Sequence, residues 1–129
     1  MSEKFNLEII SPDKSILKIN TSEVIIPCFE GEMGILKDHI PLITFLRPGL
    51  IKIVEETEKI LFVEDGTVEF ANNNLLILTS TAKELSDLNQ NYVNKLISES
   101  EVKIKNIEIT DKEKYLLSYK IETLKSINQ

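Results

Sequence analysis

The sequence predicts an all-β N-terminal sandwich, a flattened antiparallel barrel, followed by a C-terminal antiparallel αα-hairpin. Three observations carry that reading. Up to Thr81 the apolar residues come in short stretches that alternate with polar ones and are separated by turn residues at the spacing of a sandwich. After Thr81 glycine and proline no longer occur. From there the apolar period lengthens from two toward 3.6, the change that separates a strand from an amphipathic helix.

Phe5, Leu7 and Ile9 alternate with Asn6 and Glu8, and Ser11-Pro12-Asp13 then interrupts the pattern. Ile16, Leu17 and Ile19 form a second stretch and Val24-Ile25-Ile26 a third. Glu30-Gly31-Glu32-Met33-Gly34 reads as a loop, because two glycines within four residues weaken a strand. Further strands are expected over 42–46, 50–54, 60–63, 68–70 and 75–78, about eight in all. Their separators are Arg47-Pro48-Gly49, Glu55-Glu56-Thr57-Glu58, Asp65-Gly66 and Asn72-Asn73-Asn74. Asp65-Gly66 is the strongest hairpin signal among them.

In the C-terminal part Leu85, Leu88, Tyr92 and Leu96 recur at helical spacing, and Val93 and Ile97 widen the stripe. Thr110-Asp111-Lys112-Glu113 has the form of a capping box, in which hydroxyl and carboxylate satisfy two free N–H groups at a helix start. The second helix should run toward Ile127 with Leu117, Ile121 and Leu124 on one face. Residues 105–108 would join the two. The expected organisation is a sandwich domain over 1–83 and a hairpin over 84–129. Two stripes with no third helix to cover them must lean on the sandwich or on a partner.

Composition narrows the function. Among 129 residues, 42% hydrophobic and 28% charged, there are 15 basic against 21 acidic side chains, a net charge of −6, and Arg47 is the one arginine. Residues 1–83 carry 8 basic and 13 acidic side chains, and residues 84–129 carry 7 and 8. Such a balance argues against a nucleic-acid partner. Cys28 has no second cysteine to pair with, which fits a reducing compartment, and between apolar neighbours and Pro27 it reads as a buried small hydrophobe. No stretch approaches the ~20 apolar residues of a membrane span, so a soluble or peripheral chain is expected.

The candidates for chemistry are few. Asp38-His39 is an acid beside an imidazole, but neighbours on an extended chain point to opposite faces and do not make a triad. His39 reads better as a structural or contact residue. Glu30 and Glu32 sit among glycines and read as acids of a solvated turn. No nucleophile elbow, phosphate-binding loop or EF-hand loop is present. No catalytic, cofactor-binding or metal-ligating residue is therefore expected, and the residues by themselves describe a small interaction protein.

The stretch from Pro27 to Gly49 carries a resemblance. Gly31, Glu32, Gly34, Ile35, His39, Pro41, Thr44, Pro48 and Gly49 match the G-E-x-G-I/V-x-x-x-H-x-P-x-x-T-x-x-x-P-G segment of the F-type ATP synthase epsilon subunits. The similarity extends to Leu7-Glu8-Ile9-Ile10-Ser11-Pro12, to Gly66 with Glu69, to Thr81-Ala82 and to the two helices. It implies a non-catalytic subunit of the central stalk that links the gamma subunit to the c-ring of a proton-translocating synthase. The hairpin would restrain ATP hydrolysis, with contacts to the catalytic subunits. The location implied is peripheral, on the cytoplasmic face of the bacterial inner membrane, reached through the complex.

Carried over by motif, Glu32, Met33, Gly34 and His39 are the expected rotor and c-ring contacts. Two departures stand out. The family's Pro-Gly before the histidine is Lys37-Asp38 here. Its ATP-binding I/L-D-x-x-R-A motif is Leu88-Asn89-Gln90-Asn91-Tyr92-Val93, without the carboxylate and the guanidinium, so no nucleotide cofactor is expected. Two other classes remain distinguishable. A free-standing sandwich that binds a small ligand would need a concave apolar pocket, and a hydrolase would need a convergent nucleophile and base.

Overall fold

The computed structural model describes residues 3–55 and 57–127. The expected turn over 55–58 therefore includes one residue, Glu56, outside the described residues, as are the chain-end residues 1–2 and 128–129. Ten strands precede the helices: β1 (Phe5–Ile10), β2 (Ser15–Thr21), β3 (Glu23–Cys28), β4 (Gly31–Leu36), β5 (Leu42–Leu46), β6 (Gly49–Val54), β7 (Lys59–Val63), β8 (Gly66–Ala71), β9 (Asn74–Leu78) and β10 (Lys83–Glu84). A 3-10 turn over Leu85–Asp87 leads to α1 (Gln90–Ile104) and α2 (Asp111–Ile127). The last strand straddles residue 83, where the sandwich was expected to end.

The strands hydrogen-bond in the order β10-β7-β6-β3-β5-β8-β9-β1-β2, and β4 pairs with β3. The two halves of this path meet where Cys28 pairs with Leu46, and their inner faces share one core. Phe5, Leu7 and Ile9 of β1 interleave there with Val24, Ile26, Ile51, Ile53, Val68, Phe70, Leu75 and Ile77, all between 0 and 3% exposed. Phe5 meets Phe70 edge to face at 5.7 Å. A sandwich filled by its own side chains in this way leaves no room for a ligand in its middle.

Three local expectations are corrected. Of the expected Glu30–Gly34 loop only Glu30 lies in a turn, and Gly31 to Gly34 belong to the strand β4, hydrogen-bonded along its length to β3 from Glu23↔Leu36 to Cys28↔Gly31. Its apolar alternation, with Met33 and Ile35 inward, outweighs the two glycines. Asp65-Gly66 does not turn a hairpin, because β7 pairs with β6 and β10 whereas β8 pairs with β5 and β9. It carries the chain from one half of the sheet to the other. Glycine is required there by proximity: a Cβ on Gly66 would lie 2.7 Å from the Leu78 carbonyl oxygen. The sandwich is also not wholly antiparallel, since β1 runs parallel to β9 in the register Leu7↔Leu75 and Ile9↔Ile77.

The β8–β9 turn follows the expected chemistry. Asn72 and Asn73 both hold positive φ, 50° and 59°, as a two-residue hairpin that matches strand twist demands.

The first helix begins later than its apolar pattern, at Gln90, because the Asn89 side chain caps it by accepting from the Tyr92 N–H at 2.8 Å. The second begins at the expected capping box. The Glu113 N–H donates to the Thr110 hydroxyl oxygen at 3.1 Å and the Thr110 N–H donates to Glu113 Oε1 at 3.2 Å. The helices pack against each other, with Lys125 reaching Glu101 at 3.4 Å. The hairpin lies on the outer face of the β6–β7 half-sheet. There Phe62, Val93, Ile97 and Leu124 form a second apolar cluster joined by Leu50, Leu88, Leu96 and Ile127. Coverage from both sides explains why Leu61, Phe62 and Val63 are all buried.

Candidate contact surfaces

The four residues matched to the rotor motif do not share one surface. Glu32 and Gly34 point outward from β4, whereas Met33 turns in and packs against the sandwich core. The β3–β4 turn needs a glycine at Gly31, whose φ is +135° and whose missing Cβ would face open space. Glu32 lines a groove floored by Pro27, Pro48, Gly49 and Lys52 and walled on the other side by Tyr119 and Glu122 of α2. The acid is thus presented at the seam between sandwich and hairpin.

His39 lies beyond β4, half-buried. Its Nδ1 is 2.8 Å from the Ile40 carbonyl oxygen, and its ring stands edge-on to Phe70 at 5.9 Å. It has no acid partner among its described contacts, and Asp38 turns away. Asp38 holds φ +67°, the conformation in which glycine is most at ease, and Asn73 stabilises it there. The Asp38 N–H donates to Asn73 Oδ1 at 2.7 Å, and Asn73 Nδ2 donates to Asp38 Oδ1 at 3.0 Å. A hydrogen-bonded aspartate thereby fills the place of the family's glycine.

Cys28 is buried at the end of β3, and burial pushes its thiol above the ordinary value while a hydrogen bond with Thr44 acts the other way. A thiol in that setting is a packing group. Tyr92 and Asn89, at the positions of the nucleotide motif, are used otherwise: Asn89 caps α1, and the Lys83 ammonium sits 5.3 Å from the Tyr92 ring centre.

A further surface went unrecognised in the sequence. On the outer face of the half-sheet remote from the hairpin, Ile43 and Phe45 of β5 are 75% and 59% exposed, and Leu78 of β9 is 44% exposed. Ladder register sets these side chains across one face, with Phe45 opposite Thr67 and Thr67 opposite Leu78. The signal was present in β5, Leu42-Ile43-Thr44-Phe45-Leu46, where large apolar residues occupy both faces although strand alternation buries only one. An apolar stripe left in water on a small protein marks a contact face.

The fold and these surfaces define a β-sandwich protein with a helical hairpin docked on one sheet face and an apolar stripe left open on another. A family model described as ATP synthase, Delta/Epsilon chain, beta-sandwich domain matches residues 4–85. The chain is 50% identical over 130 residues to the ATP synthase epsilon chain of Pelagibacter ubique (strain HTCC1062), covering 99% of this chain and 100% of that one. It belongs to the epsilon chains of the F-type ATP synthases.

Two solved structures share the fold. A chain of the Euglena gracilis mitochondrial ATP synthase, in an OSCP/F1/c-ring assembly, superposes with a TM-score of 0.80 at 20% identity, covering 98% of this chain and 82% of that one. A chain of the Tetrahymena thermophila mitochondrial ATP synthase central stalk and c-ring gives 0.66 at 16% identity, covering 99% and 98%. The resemblance is thus to whole chains, hairpin included.

Proposed function

We propose that this chain is a non-catalytic rotor subunit, whose sandwich joins a gamma-type stalk partner to the c-ring and whose hairpin regulates ATP hydrolysis. The observation that carries the reading is the Ile43–Phe45–Leu78 stripe. It is apolar, it lies on rigid strands, and the chain's own hairpin is docked elsewhere. A stalk subunit that buries it would supply the missing cover. Glu32, at the start of β4, and His39, past the opposite end of that strand, are the proposed c-ring contacts, the first as an exposed acid and the second through the β4–β5 connection that it occupies. The sandwich over 1–83 and the hairpin over 84–129 act as the assembly part and the regulatory part.

No helix among the described residues is long and apolar enough to cross a membrane. The proposed location, on the cytoplasmic face of the bacterial inner membrane, is accordingly reached through the complex. The test is Phe45→Glu, which places a charge in the centre of the stripe without touching the core. Co-purification with the stalk should be lost while the thermal midpoint moves by only a few degrees. Retained assembly at wild-type stoichiometry would overturn the assignment of this face.

A further inference from the structure

The carbonyl oxygen of Phe29, in the turn just past β3, is shared by two side chains that arrive from different parts of the molecule. The Tyr115 hydroxyl of α2 donates to it at 2.6 Å, and Arg47 Nη1, from the corner between β5 and β6, approaches at 3.4 Å. Arg47 Nη1 also donates to the Tyr115 hydroxyl oxygen at 3.2 Å. The guanidinium carbon stands 3.7 Å from the ring centre of Tyr119, one helical turn further along α2. The two tyrosine rings meet edge to face at 4.9 Å, and the Phe29 ring leans on Tyr115 at 6.0 Å. The Arg47 backbone is itself tied down, its N–H donating to the Pro27 carbonyl at 3.0 Å.

This cluster joins the helix to the turn as well as to the sheet. Phe29 and Glu30 form the turn between β3 and β4, and Glu32 follows two residues beyond. A half-buried carbonyl with a hydroxyl at 2.6 Å loses its closest donor when the helix lifts, and Arg47 loses the ring beneath it.

We propose that docking of α2 and the conformation of the β3–β4 turn are coupled through the Phe29 carbonyl, so that the hairpin's position is relayed to the strand that presents Glu32. With α2 in place the turn is clamped. With α2 lifted the turn gains freedom, and by linkage anything that holds the turn in its clamped form raises the affinity of α2 for the sheet by the same factor. The coupling is internal to the chain. Its consequence at the rotor rests on the proposed function, in which Glu32 meets the c-ring.

The test is amide hydrogen exchange on the full, isolated chain, perturbing each end of the link in turn. Tyr115→Phe keeps the ring and removes the hydroxyl. It should speed exchange in α2 and at Phe29 to Met33 together, by roughly three- to tenfold, the worth of one hydrogen bond. Gly31→Ala has open space for its methyl but strains a φ of +135°, and it should speed exchange in α2 although it touches no helix residue. Should Gly31→Ala fail to fold, Arg47→Gln replaces it, and the turn and α2 should again loosen together. Amides of β1 and β9 serve as the control and should not move.

A change confined to the element that carries the substitution would overturn the coupling. Because no rotor component is present, that result would leave the proposed function standing. Conversely, loss of the rotor reading would leave the exchange result intact.

Discussion

Asp38 and Asn73 hold each other in left-handed backbone conformations 35 residues apart, each side chain bonding to the other residue at 2.7 and 3.0 Å. This pair fastens the connection after β4 to the β8–β9 turn, and so sets where His39 sits against Phe70. Replacing Asn73 by Ala removes both bonds and puts a residue poorly suited to φ +59° in the turn. The expected cost is about 1–2 kcal/mol, read as a lower urea midpoint with an unchanged slope. Asp38→Gly, which loses the side-chain bond but relaxes the backbone, should cost less than Asn73→Ala. The reverse order would refute this account, since Asn73→Ala loses both bonds and adds backbone strain whereas Asp38→Gly loses one bond and relieves it.

Removing the hairpin at Glu84 should leave a folded sandwich, because the core of Phe5, Ile26, Phe70 and Ile77 includes no helix residue. Phe62 and Leu50 would then lose their cover, so the fragment should be less soluble than the whole chain. Circular dichroism should show the strand signal intact, and an unfolded fragment would show that the hairpin is part of the folding unit.

Glu32→Arg should leave stability within about 0.5 kcal/mol of the parent, as expected of an exposed strand position, while weakening energy coupling in the assembled synthase. The measurements are the thermal midpoint of the isolated chain and ATP-driven proton pumping in membranes. A large fall in the midpoint with pumping intact would make the residue structural.

Nucleotide should not bind to the isolated chain at low-millimolar ATP. Arginine is the side chain suited to fork onto phosphate oxygens, and the only one, Arg47, is committed to Tyr119, Tyr115 and Phe29. Lys120 is held by Glu64 at 2.7 Å and Lys125 by Glu101 at 3.4 Å, which leaves neither free to converge on a phosphate. Isothermal titration should register no saturable heat, and a one-to-one isotherm in that range would refute the expectation.

Much of this architecture was legible in local pattern. Alternation located the inward face of β1, apolar stretches located β6 and β9, and the capping box located the start of α2, because all three signals are set by neighbours in sequence. The errors fell where long-range pairing decides. Gly31 to Leu36 is a strand because β3 offers a partner for its whole length, and Asp65-Gly66 is a crossing because β7 and β8 have other partners on either side. The Arg47 cluster was invisible for the same reason: it brings together residues up to 86 positions apart, as Phe29 and Tyr115 are, and nothing near Arg47 in sequence announces the tyrosines.

The parallel pairing of β1 with β9 also governs how the chain can be made. The first strand synthesised is the one flanked by β2 on one side and by β9, the last long strand of the sandwich, on the other. A nascent chain that has emerged as far as β8 must therefore wait with one edge of a highly apolar β1 unpaired. Closure of a loop of some 65 residues comes late and slowly, and throughout that interval the waiting edge is open to a second nascent chain. The long strands of the sandwich are completed only when Asn74 to Leu78 arrive, so the vulnerable period of this protein's life is set by the translation time of the residues between β1 and β9.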